Sequence, residues 1–137
     1  MKNHIYLRAY MAGVTVPTVV VVFVLACFIV LRFGYNVSIP IERGLVFPLA
    51  IVPGLWGLWN MLYIVLRRHW RIPLGMYGAL VPLVVGPLAL GNALLLGFDI
   101  PRFALAIFPA GVALAMLAYY LVWKYLVGFF NRMLEIG

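Results

Sequence analysis

Four apolar runs decide what this chain can become: residues 9–31, 45–66, 74–97 and 103–123. Each is about 20 residues or longer, and at ~1.5 Å rise per residue such a stretch crosses a ~30 Å hydrocarbon layer as a helix. Lipid offers no water to satisfy backbone N–H and C=O groups. Each run must therefore bond within itself, which a helix does. A transmembrane barrel would need apolar and polar side chains to alternate over about ten residues, and no stretch here does so. With 67% hydrophobic and 9% charged residues among 137, a water-soluble fold of this size could not hide the apolar surface. The sequence predicts an all-α polytopic membrane protein with a single transmembrane domain over 1–137. Its four transmembrane helices form an antiparallel bundle, because the connections at 32–42, 67–72 and 98–102 are short. An amphipathic helical extension follows at 124–137.

The net charge of +7 is a topology signal and not a nucleic-acid signal, since the basic residues sit at helix ends and form no separate domain. Lys2, Arg8, Arg67, Arg68, Arg71, Lys124 and Arg132 fall on one side of a four-span arrangement, and Arg32, Arg43 and Arg102 on the other. By the positive-inside rule both termini are cytoplasmic, and the protein sits in an inner membrane. "VLACFIV" around Cys27 has a bulky Leu25 where a lipoprotein cleavage site carries a small residue, and the apolar run continues past it. It therefore reads as helix and not as a signal peptide. One cysteine allows no internal disulfide, and two histidines with one cysteine make no metal set. No cofactor is expected.

The spans contain no Asp, Glu, Lys, Arg or His, the residues that mark proton relays and ion coupling inside membranes. Three groups of polar residues remain. Trp56, Trp59, Asn60 and Tyr63 are spaced i, i+3, i+4, i+7 and share one helix face, a stripe suited to helix packing or to binding. Asn60 needs a hydrogen-bond partner; Asn92 lies toward the opposite side, so a tyrosine, a threonine or a backbone carbonyl is expected. Thr15, Thr18 and Asn92, with Asn60 and Tyr63, could line a polar path. At the outer edge Glu42, Arg43, Asp99 and Arg102 form a charge cluster that reads as interfacial ion pairs. Arg67, Arg68, Arg71, Lys124 and Arg132 make a cytoplasmic rim for anionic lipid head groups, with Trp70, Tyr77, Tyr119, Tyr120 and Trp123 as its aromatic belt.

Small residues predict where helices approach closely. Gly75 and Ala79, Gly78 and Gly86, Ala106 and Ala110, and Gly111 and Ala115 place close packing in the third and fourth spans. The first span, with Val19–Val22 in a row, is expected at the edge. In the tail, Lys124, Gly128, Asn131, Arg132 and Glu135 share a polar face opposite Val127, Phe130 and Leu134. An unbroken fourth helix to Glu135 would be ~50 Å long, so the tail is expected to bend at Gly128 and lie on the membrane surface or against a partner. Residues 39–57 and 72–91 are weakly similar, with Gly44, Pro48, Pro53 and Gly57 matching Gly78, Pro82, Pro87 and Gly91 at an offset of 34. Ile-Pro helix starts and the Gly and Pro content of membrane helices account for this.

The function favoured at this stage is that of a small non-enzymatic accessory or scaffolding subunit of a membrane complex, acting through helix–helix contacts. Its partners would be membrane lipids and other subunits or further copies of itself. A homo-oligomeric channel or small transporter is the alternative, followed by a membrane enzyme acting on lipid at Glu42 and Asp99.

Overall fold

The computed structural model of the chain describes residues 4–38 and 49–136. It is all-helical, with no strand among the described residues. In chain order the helices are α1 (Ile5–Ile29), α2 (Ile51–Leu66), α3 (Leu74–Gly78), α4 (Val81–Leu95), α5 (Arg102–Val122) and α6 (Gly128–Met133). A π-helical turn at Val30–Gly34 prolongs α1, and another at Trp123–Val127 joins α5 to α6. Three helical segments are long and apolar enough to cross a membrane: Ile5–Gly34, Leu74–Leu95 and Arg102–Met133. Ile51–Leu66 is a shorter apolar helix.

Local chemistry sets several of these boundaries. Both α3 and α5 start directly after an Ile-Pro pair. Pro73 and Pro101 are extended, at ψ 143°, and supply the N-cap position. A proline has no N–H to leave unsatisfied at a helix start. At the far end of α4, Gly97 takes φ +71°. There the Phe98 N–H donates to the Ala93 carbonyl at 3.0 Å and the Gly97 N–H to the Leu94 carbonyl at 3.1 Å. This double bond pattern is the Schellman stop, which needs a left-handed residue.

The same stop closes α6, but with a non-glycine residue. Glu135 sits at φ 54°, and the N–H groups of Ile136 and Glu135 donate to the carbonyls of Asn131 and Arg132 at 2.8 and 3.0 Å. A left-handed residue with a Cβ costs about 1 kcal/mol, so tertiary contacts must hold this turn. Ile136 supplies one, being 1% exposed against Ala9, Ala12 and Ile64.

The expected division of the fourth span from its tail is not what the chain adopts. The helix runs on through Gly128, which keeps helical angles, to Met133. Its inward face is Trp123, Val127, Gly128 and Asn131, while Lys124, Phe129, Arg132 and Met133 are exposed. Gly128 and Asn131 thus lie on the same side as Val127 and not opposite it. The reason is packing: the tail is covered by the start of α1 and by the loop end of α2, so its small and amide residues go inward. The third apolar run is also interrupted, by a turn at Ala79 and Leu80 between α3 and α4.

Close approach is found at Gly75 and Gly78, as expected, and also between α1 and α2, where the spacing gave no sign of it. The most extensive interface is between α1 and α2, and α1 buries Ala9, Ala12, Gly13, Val16 and Pro17. A Cβ on Gly13 would stand 2.5 Å from the Trp56 carbonyl oxygen, and one on Gly57 2.6 Å from the Tyr10 ring. Beyond Pro17 nothing in α1 is buried, and Val19, Val20, Val22, Phe23 and Ile29 are exposed, so this half behaves as the expected edge. In α3, Gly75 packs on Tyr120 and Lys124, and Gly78 on the Trp123 ring. Gly111, by contrast, has nothing within 4 Å of a Cβ position, and Ala106 and Ala110 are exposed.

Candidate functional site

Among the described residues, the fully buried side chains gather at the end of the molecule that carries Arg8, Arg67 and the α5–α6 junction. At its centre are two carboxamides from residues 71 apart. Asn60 Nδ2 donates to Asn131 Oδ1 at 2.8 Å, and Asn131 Nδ2 donates back to Asn60 Oδ1 at 3.2 Å. Asn60 Nδ2 also donates to the Ala9 carbonyl at 2.7 Å. Asn60 is 0% and Asn131 7% exposed. Three elements are therefore tied by one amide pair, and Gly13 makes this possible by letting the α1 backbone close on Trp56 and Asn60. A backbone carbonyl is among the partners the sequence suggests for Asn60; Asn131 is not. The signal for it was present, since Trp123, Val127 and Asn131 recur at four-residue spacing, but reading it requires a helix that continues past residue 123.

The stripe continues the same closure. Trp56 packs edge-on against Tyr119 with centroids 5.0 Å apart and lies 5.5 Å from Trp123. Trp59 and Tyr63 flank Tyr77 at 5.1 and 5.2 Å, and Trp59 Nε1 donates to the Tyr77 carbonyl at 3.2 Å. Tyr77 in turn meets Trp123 at 6.3 Å. Each ring pair contributes about 0.5–1.5 kcal/mol beyond burial. Tyr77 and Trp123 were expected in an interfacial belt, yet they are 4% and 0% exposed. Gly78 leaves the space that the Trp123 ring fills. The Tyr77 hydroxyl and Trp123 Nε1 have no hydrogen-bond partner among the described residues, so ring packing carries this cluster.

Arg8 and Arg67 close the end. Arg8 Nη1 donates to the Leu134 carbonyl at 3.0 Å and Arg67 Nη2 to the Ile136 carbonyl at 2.9 Å. Guanidinium groups at a helix C-terminus satisfy its orphan carbonyls and oppose the negative end of its dipole. Arg8 Nη1 also stands 4.0 Å from Glu135 Oε2, whose side chain is largely exposed, a weak pair. Of the predicted head-group rim, Arg67 thus turns partly inward, while Arg68, Arg71, Lys124 and Arg132 are exposed. Lys124 Nζ lies 5.6 and 5.3 Å from the centroids of Tyr120 and Tyr125.

The other candidates are not brought together. The Thr15 and Thr18 hydroxyls donate to the carbonyls of Met11 and Val14 on their own helix at 2.7 and 2.8 Å. Asn92 stands in the C-terminal half of α4 and makes no contact with Asn60. Glu42 and Arg43 lie outside the described residues; Asp99 and Arg102 are exposed. The similarity between 39–57 and 72–91 falls partly outside them as well, while Pro53 lies in the first turn of α2 and Pro87 in the middle of α4. Among the described residues no three of His, Cys, Asp and Glu come together.

The opposite half is loosely closed. A groove of about 540 Å³, open to the side, runs along the α4–α5 contact, lined by Val85, Gly86, Ala89, Phe108, Gly111 and Ala115 among others. A second cleft of about 410 Å³ lies between α2 and α4. Comparison with protein-family models, curated proteins and solved structures returns no match for this chain.

Proposed function

We propose that the chain is a small non-enzymatic scaffolding subunit of a membrane complex, built as an antiparallel four-span bundle. In this reading it lies in an inner membrane with both termini cytoplasmic and offers α5 to a neighbouring helix. One observation carries it: α5, 21 residues long, buries none of them. In lipid, apolar exposure is neutral, but small residues on an exposed helix face permit a partner helix to come close. Ala106, Ala110 and Ala113 are exposed at four- and three-residue spacing, on one face. The exposed Arg68, Arg71, Lys124 and Arg132 support contact with anionic head groups, at about 1 kcal/mol per charge. The channel reading draws less support, because Asn60 is occupied by Asn131 and both threonine hydroxyls are taken by their own helix.

Purification of the full chain from its native membrane in a mild detergent tests the proposal. A stoichiometric partner chain should co-purify, and Ala106→Leu with Ala110→Leu and Ala113→Leu should release it while the amide-locked end stays folded. Recovery of the chain without any partner polypeptide, or a partner retained by the triple variant, would overturn it.

A further inference from the structure

Among the described residues Pro17, Pro87 and Pro109 stand in helix interiors. Pro17 is buried, whereas Pro87 in α4 and Pro109 in α5 are exposed. A proline has no N–H and crowds the carbonyl four residues earlier, so the carbonyls of Leu83 and Leu105 lose their helical donor and both helices are free to bend there. Pro87 and Pro109 line one cleft of about 390 Å³, with Leu83, Phe108 and Val112. The two break points therefore lie at one level of the α4–α5 pair. The residue before Pro87 makes the contact at that level: a Cβ on Gly86 would stand 3.4 Å from Val112 and 3.5 Å from Phe108. To one side the pair is held, since Val81 and Pro82 are buried and Tyr119 and Trp123 pack on Trp56. To the other side no residue of 88–108 is buried, and a Cβ on Gly91 would meet nothing within 4 Å.

From this we infer that Pro87 and Pro109 form a paired hinge, on which the hairpin 88–108 rocks as one body against the rest of the molecule. A bend in one helix alone would be restrained by its neighbour. Two bends at one level, in helices joined at the tip by residues 96–101, let both arms turn together. The Gly86 contact is the pivot. Lipid supplies no force that closes the free arms, and segments with few buried contacts are the ones that move at low cost. The rocking sets the width of the cleft between α2 and α4, which Leu88, Gly91 and Leu95 line from the moving arm and Ile51 and Leu55 from α2. A change of about 20° at the bend carries Leu95, ~12 Å beyond Pro87, through about 4 Å. The hinge works in this way whether or not a partner sits on α5.

Distances between spin labels on the full chain in nanodiscs, with Cys27→Ser as background, test the hinge. Leu58, Leu95 and Leu117 are exposed and can carry labels. Leu58 and Leu117 both belong to the held part, beside Trp56 and Tyr119. Leu58→Cys with Leu95→Cys spans the hinge and should give a distance distribution about 4 Å wider than Leu58→Cys with Leu117→Cys. Pro87→Ala should narrow the first distribution and leave the second alone. Pro109→Ala should do the same, since the arms turn together or not at all. Both variants should keep or raise the unfolding midpoint, because alanine suits a helix interior better than proline. Equal widths in the parent would overturn the hinge, as would a Leu58–Leu95 width that either proline variant leaves unchanged. A lowered midpoint in either variant would overturn it too, by showing that the bend is packed into a single shape.

Discussion

The two ends of the molecule are built from similar residues and packed by different rules. At the basic end Trp56, Asn60, Ile64, Tyr77, Trp123, Val127, Asn131 and Ile136 are buried. At the other end α4 and α5 touch where Gly86 meets Val112 and Phe108 but leave an open groove beside that contact, although the residues there are equally apolar. The difference is one of solvent. Between lipid-facing helices there is no hydrophobic drive to close, because acyl chains are as apolar as leucine. The helices Ile5–Gly34 and Arg102–Met133 have 30 and 32 residues, or roughly 45 and 48 Å, longer than a ~30 Å core. Their ends reach an aqueous boundary, where burial of Trp123 and Ile136 is again favourable and stray amides and carbonyls must be paired.

This contrast can be broken by substitution. The largest effect is expected for Gly78→Leu, which drives a side chain into the Trp123 ring; overpacking of this kind costs about 1–3 kcal/mol or more, read as a lowered unfolding midpoint in detergent. Next is Asn60→Leu, which strands the buried Asn131 amide at about 1–3 kcal/mol. Adding Asn131→Leu should recover part of that loss, and a double-mutant cycle measures the coupling. Glu135→Gly should raise stability by about 1 kcal/mol by relieving the left-handed turn, the exposed pair with Arg8 being weak. Smallest is Gly111→Leu, in the open half, which should stay within about 0.5 kcal/mol of the parent. Equal midpoints for Gly78→Leu and Gly111→Leu would erase the distinction between the ends.

Much of the helical content was legible because span length depends only on apolar composition. The Ile-Pro starts at Pro73 and Pro101 were readable for the same local reason. The one-face stripe of Trp56, Trp59, Asn60 and Tyr63 was visible from spacing, but its neighbours were not. Asn131 was assigned to a solvated face because ~50 Å of helix exceeds a bilayer, and no local pattern says that a protruding end will be covered by α1. Small-residue spacing identified Gly75 and Gly78; Ala106 and Ala110 are exposed, and Gly111 meets no neighbour among the described residues. Such spacing permits close approach without specifying which helix comes, or whether it belongs to the same chain. Arg8 and Arg67 looked like topology markers, since a capping role depends on where a distant helix ends.

The Asn60–Asn131 pair also dictates an order of events. Residue 131 is synthesised 71 residues after residue 60, a delay of about 4–14 s at 5–20 residues per second. Through that interval α1 and α2 can dock through Gly13 and Gly57, but the Asn60 amide has only the Ala9 carbonyl. The tight end is therefore the last part to mature, whichever span enters the membrane first. A ribosome-stalled chain ending before residue 119 should hold its first hairpin while leaving Trp56 and Tyr77 without Tyr119 and Trp123, open to whatever chaperone or insertase attends it.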